Sequence, residues 1–235
     1  MHKKTLVLAL LASVAMSGAA QAALIDRGGG LIYDTVLDIT WLADANLAAS
    51  NTFGLSLSTN LGDHPDDSWA ANYTEQILTF GRMNWGAALH WIDAMNDANY
   101  LGYDDWRLPT ALNADGSGPC SGLNCNSSEM GYMFYENMGA TAGGSILSGS
   151  NTTNLALFTN IASGTYWSGL EWSVDTSGAW GFGTYYSGYQ VPTNKLSYYY
   201  AWAVRPGDVA AVPEPATLML LVLGLAGLGA MRRRG

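Results

Sequence analysis

Charge is scarce in this chain. Only 12% of its 235 residues are Asp, Glu, Lys or Arg, about half the roughly 25% usual in soluble domains. What charge there is leans negative, with 10 basic residues against 19 acidic ones. That balance excludes a nucleic-acid binder, because phosphates need a basic patch. Cysteine is limited to two residues and histidine to three. Two thiols without a nearby His make a poor zinc site, which takes four ligands. Long apolar runs occur only at the two ends, which excludes a polytopic membrane protein. No internal repeat is visible, so a solenoid or propeller is not expected. No G-x-S-x-G, H-E-x-x-H or phosphate-binding glycine loop occurs. His64 lies in an acidic loop, where it is either a metal ligand or solvated, and His90 has no acid or Ser partner readable from the sequence. No catalytic set emerges, and the chain reads as a non-enzyme. Hydrophobic residues, by contrast, make up 49%, with 9 Trp, 13 Tyr and 28 Gly. That is enough to bury a core, which excludes a disordered chain.

The two ends read as addresses. His2, Lys3 and Lys4 form a basic start, Thr5 to Met16 an apolar run, and Ala20-Gln21-Ala22 a cleavage site. Residues 1–22 are therefore expected to be a signal peptide, with the mature chain starting at Ala23. At the other end Pro213-Glu214-Pro215 precedes an apolar run from Ala216 to Met231, then Arg232, Arg233 and Arg234. The prolines interrupt any helix upstream. The apolar run can enter a bilayer, and the arginines would hold its end in the cytoplasm. This ordered tail, residues 212–235, resembles the PEP-CTERM sorting signal. The resemblance implies a membrane-anchored precursor and an exosortase-type processing enzyme as partner. It further implies delivery to the surface or exopolysaccharide matrix of a Gram-negative bacterium. Between Ala23 and Ala211 the basic residues are Arg27, Arg82, Arg107, Lys195 and Arg205, against 18 acidic ones, a balance of −13. Such a surface repels anionic partners.

Between the ends, the alternation of residues 31–42 predicts a hairpin with its turn near Asp34 and Asp38. Residues 43–80 are rich in Asn, Ser, Gly and Asp and read as a long loop. Trp85, Ala88, Leu89, Ile92 and Met95 predict a helix over 84–98, capped by Asn84. A second helix is expected over 127–138, with Asn126 and Glu129 as a capping box and Gly139 closing it. Strands are expected at 166–168, 179–186 and 198–205, with Trp180, Phe182, Thr184 and Tyr186 on one face. Two helices followed by a strand-rich half suggest one α+β domain. Export permits a disulfide, and the spacing of Cys120 and Cys125 around Gly122 suits a small stapled loop.

The most specific stretch is Gly102-Tyr103-Asp104-Asp105-Trp106-Arg107-Leu108-Pro109-Thr110. It resembles the signature of the Lcl C-terminal domain family. Gly30 to Asp34, Thr40-Trp41-Leu42, Tyr166-Trp167-Ser168, Ala179-Trp180 and Ala201 to Arg205 agree in order. The resemblance implies a C-type-lectin-like α+β fold, with two helices and a curved, mainly antiparallel sheet, and a surface or adhesive role. The namesake adhesin binds sulfated polysaccharide, which a domain of charge −13 would repel. The chain also departs from the family pattern after Thr110, where Ala111 to Gly116 and the cysteine loop intervene.

Asp105, Trp106, Arg107, Leu108 and Pro109 are expected to serve the fold, with Arg107 paired to Asp104 or Asp105. Trp172, Tyr185 and Tyr189 are candidates for an exposed sugar platform, because aromatic faces stack on the apolar face of sugar rings. Asp63, Asp66 and Asp67, or the Asn113–Gly116 loop, offer oxygen ligands for calcium, although neither completes an EF-hand, and solvated loop acids are the expectation. The resulting expectation is an exported, non-enzymatic protein that binds polysaccharide or a surface protein. A purely structural envelope protein is its rival. An enzyme on a formylglycine-generating scaffold is a further alternative, which needs cysteine or copper chemistry.

Overall fold

The computed structural model describes residues 24–209. β1 (Leu24–Asp26), β2 (Leu31–Asp34) and β3 (Ile39–Leu42) form an antiparallel meander. The β2–β3 turn is built by its own side chains. The Asp34 carboxylate accepts the N–H groups of Val36 and Leu37, and Asp38 takes a left-handed φ of 51°. A carboxylate that satisfies nearby backbone donors stabilises a turn without further contacts.

Residues 43–80 cross the molecule as the expected long loop, with short 3-10 turns at Leu47–Ala49 and Ala70–Asn72. α1 (Trp85–Asp97) follows and buries Trp85, Ala88, Trp91, Ile92 and Met95. Asn84 precedes it in extended conformation but does not cap it. Its side chain instead accepts from Gln76 N–H and donates to the Thr74 carbonyl, tying the loop to the helix start.

β4 (Gly122–Leu123) leads to a helix shorter than the sequence suggests. α2 covers only Glu129–Tyr132, and a wider π-type turn continues it over Met133–Asn137. Ser128, not Asn126, is its cap, accepting the Gly131 N–H. Glu129 is drawn away from any capping box by Arg107. Gly139 does end the segment with φ of 63°. A third short helix, α3 (Thr152–Leu155), was not expected.

β5 (Thr165–Glu171), β6 (Gly178–Gly183) and β7 (Tyr189–Asn194) form an antiparallel sheet with β4, in the order β4-β7-β6-β5. Tyr186 does not continue the β6 face. It sits in the β6–β7 turn with φ of 50° and is exposed. β8 is only Val204–Pro206, because the preceding residues are shared between two partners. Tyr200 exchanges backbone bonds with Thr165 and Trp167 of β5, while Ala203 and Val204 pair with β3. The result is the expected α+β fold with antiparallel strands, which fall into two four-stranded sheets, the other in the order β1-β2-β3-β8.

The core lies where this shared segment runs. Trp202 meets Trp41 and Phe158 edge-on, at 5.0 and 5.2 Å between centroids, and leans on Tyr166. Its indole N–H donates to the Leu42 carbonyl, so a large apolar ring is buried with its polar handle satisfied.

Candidate functional site

The signature segment runs beside α1 and is pinned to it by one side chain. Asn96 donates to the Trp106 carbonyl at 2.9 Å and accepts the Trp106 N–H at 2.8 Å. On the other side Arg107 exchanges both backbone bonds with Val204. Gly169 of β5 donates to the Pro109 carbonyl. Between these elements lies a cleft of ≈ 420 Å³. α1 supplies Leu89, Ile92, Asp93 and Asn96, which share a face at helical spacing. Trp106 to Leu108 with Thr110 form a second wall, Gly169 and Leu170 a third, and His64 with Asp66 the rim.

Asp105, Trp106 and Arg107 of the signature each have a structural partner. Trp106 is buried and donates its indole N–H to the Tyr100 carbonyl. Arg107 is not paired with Asp104 or Asp105, as the sequence suggests. It forms two parallel bonds, of 2.8 and 2.6 Å, to Glu129. Glu129 also accepts the Thr110 N–H at 2.7 Å. Asp105 forks instead onto Arg205, at 2.7 and 2.8 Å, and the Arg205 guanidinium lies over the Tyr103 ring. Planar guanidinium suits both tasks, carboxylate forking and ring stacking.

The two histidines of the described residues come together, which the sequence did not show. Their rings meet edge-on at 4.8 Å. His64 is buried, and its Nδ1 accepts the Asp66 N–H, which leaves the ring proton on Nε2 for Asp93 at 2.9 Å. His90 Nε2 reaches the Glu75 carboxylate and the Gly62 carbonyl, each at 3.0 Å. Glu75 is fully buried and also accepts the His64 backbone N–H. The Glu75 hydrogen bond raises the His90 pKa, against the opposing effect of burial. Neither ring nitrogen of His64 faces the cleft unpaired, so the pair shapes the rim rather than offering a free base.

A second buried cluster also escaped sequence reasoning. Lys195, just after β7, has no exposed surface. Its Nζ lies 2.6 Å from Asp67 Oδ1 and also bonds Glu171. Asp67 is thus not a solvated loop acid. It is turned inward, while Asp63 and Asp66 remain exposed. Ser117 donates both its N–H and its hydroxyl to Asp115 in the Asn113–Gly116 loop, which holds the Asp115 carboxyl below its usual range. Among the described residues no group of three or more His, Cys, Asp or Glu side chains gathers as a metal set.

Cys120 and Cys125 are joined by a disulfide. The three aromatic candidates are not brought together. Trp172 follows β5, half-buried, and its N–H meets the Gly178 carbonyl at the start of β6. Tyr185 follows the far end of β6, roughly 17 Å away at strand rise. The Tyr185 and Tyr186 rings meet at 4.0 Å, tilted by 58°, and all of Tyr185, Tyr186 and Tyr189 are exposed.

The expected signal peptide and the tail residues Pro213, Glu214, Pro215, Arg232, Arg233 and Arg234 lie outside the described residues. Within them no helix is long and apolar enough to cross a membrane. The PEP-CTERM protein-sorting motif matches residues 211–234, which makes the chain an exosortase-processed, exported protein with a membrane-anchored precursor. No curated protein and no solved structure is similar enough to match. The Lcl C-terminal domain matches residues 30–205. That span runs from the glycine before β2 to the arginine that clamps Asp105. It takes in every residue that lines the cleft and all of the strands except β1 and the end of β8, and on that match the chain belongs to the Lcl C-terminal domain family.

Proposed function

We propose that this protein is a non-enzymatic binding protein of the bacterial cell surface or extracellular matrix, and that the cleft beside the signature holds a segment of polysaccharide. The observation that carries this reading is the lining of the cleft. Leu89, Ile92, Leu108 and Leu170 offer an apolar wall, and Asp66, Asp93, Asn96, Arg107 and Thr110 surround it with planar and hydroxyl groups. A sugar ring presents the same mixture, one apolar C–H face edged by hydroxyls. A concave site with a few convergent polar groups is the usual form of a small-ligand site. The domain charge of −13 favours a neutral or amino sugar over a sulfated one.

The enzyme alternative requires a reactive thiol or a copper held by thiols. Both cysteines of the chain are consumed in the Cys120–Cys125 disulfide, which favours the binding reading. The test is calorimetric titration with the exopolysaccharide of the producing bacterium. Saturable binding is expected. The Asp66→Ala variant should bind roughly tenfold more weakly, about 1.4 kcal/mol. Asp66 is exposed on the rim, and its structural contact is through its backbone N–H, so its removal leaves the fold in place. Absence of heat at any concentration would sink the reading for this glycan and return the domain to a structural role.

A further inference from the structure

Lys195 is the one lysine among the described residues, and neither the cleft nor its walls use it. It is fully buried, as is the Asp67 side chain. The two groups are separated by 128 residues of chain and held 2.6 Å apart. The Glu171 carboxylate bonds the same Nζ. The Trp85 ring covers the ammonium at 4.3 Å. Asp67 Oδ1 further accepts the Trp69 N–H, and Oδ2 accepts the Tyr73 hydroxyl. Burial first, and then the bond to Asp67, pushes the Tyr73 phenol well above its usual range, so it remains a donor.

We infer that Lys195 and Asp67 condense into an intramolecular isopeptide bond, with Glu171 carrying the protons. Glu171 takes one proton from the Lys195 ammonium and passes it to Asp67 Oδ1. The amine then carries a free electron pair and faces a neutral carboxyl. It attacks Asp67 Cγ, and the carbonyl electrons move onto Oδ2, where the Tyr73 hydroxyl stabilises them. A second proton passes from Nζ through Glu171 to Oδ1. The Cγ–Oδ1 bond breaks, and that oxygen leaves as water. One N–C bond forms, one C–O bond breaks, and an ammonium and a carboxylate become one amide and one water. No oxidant, reductant or metal enters the step.

Three features of the geometry favour this outcome over a permanent ion pair. The reacting groups are held in contact, which removes the entropic barrier to a bimolecular step. Water is excluded from Lys195 and Asp67, so the reverse hydrolysis lacks its reactant. Two buried charges carry a desolvation penalty that the neutral amide relieves. The Glu171 side chain is 25% exposed, which gives the released water a way out. The bond would fasten the 43–80 loop to the end of β7. The disulfide, by contrast, spans only five residues. The inference is independent of what the cleft binds.

The test is peptide mapping by mass spectrometry of the full chain, purified from the producing bacterium, denatured and reduced. The expected result is a branched peptide joining the Asp67 and Lys195 segments, lighter by one water, with no tryptic cleavage after Lys195. The Glu171→Gln variant keeps a hydrogen-bonding side chain of the same shape and should give two separate peptides of full mass. Separate, unmodified peptides from the wild-type protein would overturn the inference. A branched peptide that persists in Glu171→Gln would overturn the role given to Glu171.

Discussion

Arg107 and Glu129 meet as a two-bond fork across 22 residues of sequence, and this pair joins the signature segment to α2. Glu129 lies buried, while the Arg107 side chain is 36% exposed. Glu129→Ala would leave the guanidinium with only the Leu108 carbonyl and the Thr110 N–H without its acceptor. Breaking a fully buried pair costs ~3–5 kcal/mol. With Arg107 partly hydrated, about 2 kcal/mol is expected here. Asp105→Ala should cost less than ~1 kcal/mol, since Asp105 is 42% exposed. Urea denaturation midpoints of the two variants check the order.

Gly86 should respond to alanine in the opposite sense from helix propensity. In a helix interior Gly→Ala is stabilising by roughly 1 kcal/mol. Here a Cβ would sit 2.2 Å from the Glu75 carboxylate. Glu75 is held by the His64 N–H and by His90 and cannot withdraw without breaking both contacts. Gly86→Ala is therefore expected to destabilise by roughly 1–3 kcal/mol. A lower thermal midpoint with unchanged far-ultraviolet dichroism would agree. A higher midpoint would show that Glu75 moves freely.

The His90–Glu75 contact should make stability depend on pH. The folded-state pKa of His90 is raised, first by its bond to Glu75. Asp93 on its own helix adds to this, and His64 packs against the ring. A raised pKa means the folded state holds the proton more tightly than the unfolded chain. The contribution is complete below the unfolded value of about 6.5 and is lost as pH rises through the folded value. Thermal midpoints of the wild-type protein should therefore fall across that window. His90→Gln should flatten the slope there, and an identical slope in both proteins would remove His90 as its source.

What could be read from the sequence was local. The 31–42 hairpin carries its turn chemistry in Asp34 and Asp38, and α1 carries its period in Trp85, Ala88, Ile92 and Met95. The signature at 102–110 was legible because it is short and contiguous, but its residues read as serving the fold, and nothing in them showed the cleft they line with α1 and β5. The partners were not legible. Glu129 looked like a capping residue because Asn126 stands before it, yet a guanidinium 22 positions earlier binds it more strongly than a helix terminus does. Asp67 looked solvated because its neighbours Asp63 and Asp66 are, and only the fold brings Lys195 to it. The second sheet was hidden for a related reason. The 199–206 segment has one β pattern but pairs first with β5 and then with β3, and periodicity carries no information on partners.

The cleft and the exposed tyrosines offer two different places for a glycan, and substitution separates them. Tyr185, Tyr186 and Tyr189 form an open aromatic patch around the β6–β7 turn, where stacking would be the main attraction. The cleft is instead walled by α1, the signature and β5. Leu89 is half-buried on the cleft wall, so Leu89→Trp should fill part of the ≈ 420 Å³ without disturbing the core beneath. If the cleft binds, Leu89→Trp weakens binding at least roughly tenfold, about 1.4 kcal/mol. The paired change Tyr185→Ala with Tyr189→Ala then leaves it within experimental error. The opposite pattern would move the site to the tyrosines. The sheet would then be the binding element, and the signature would serve only to hold α1 against it.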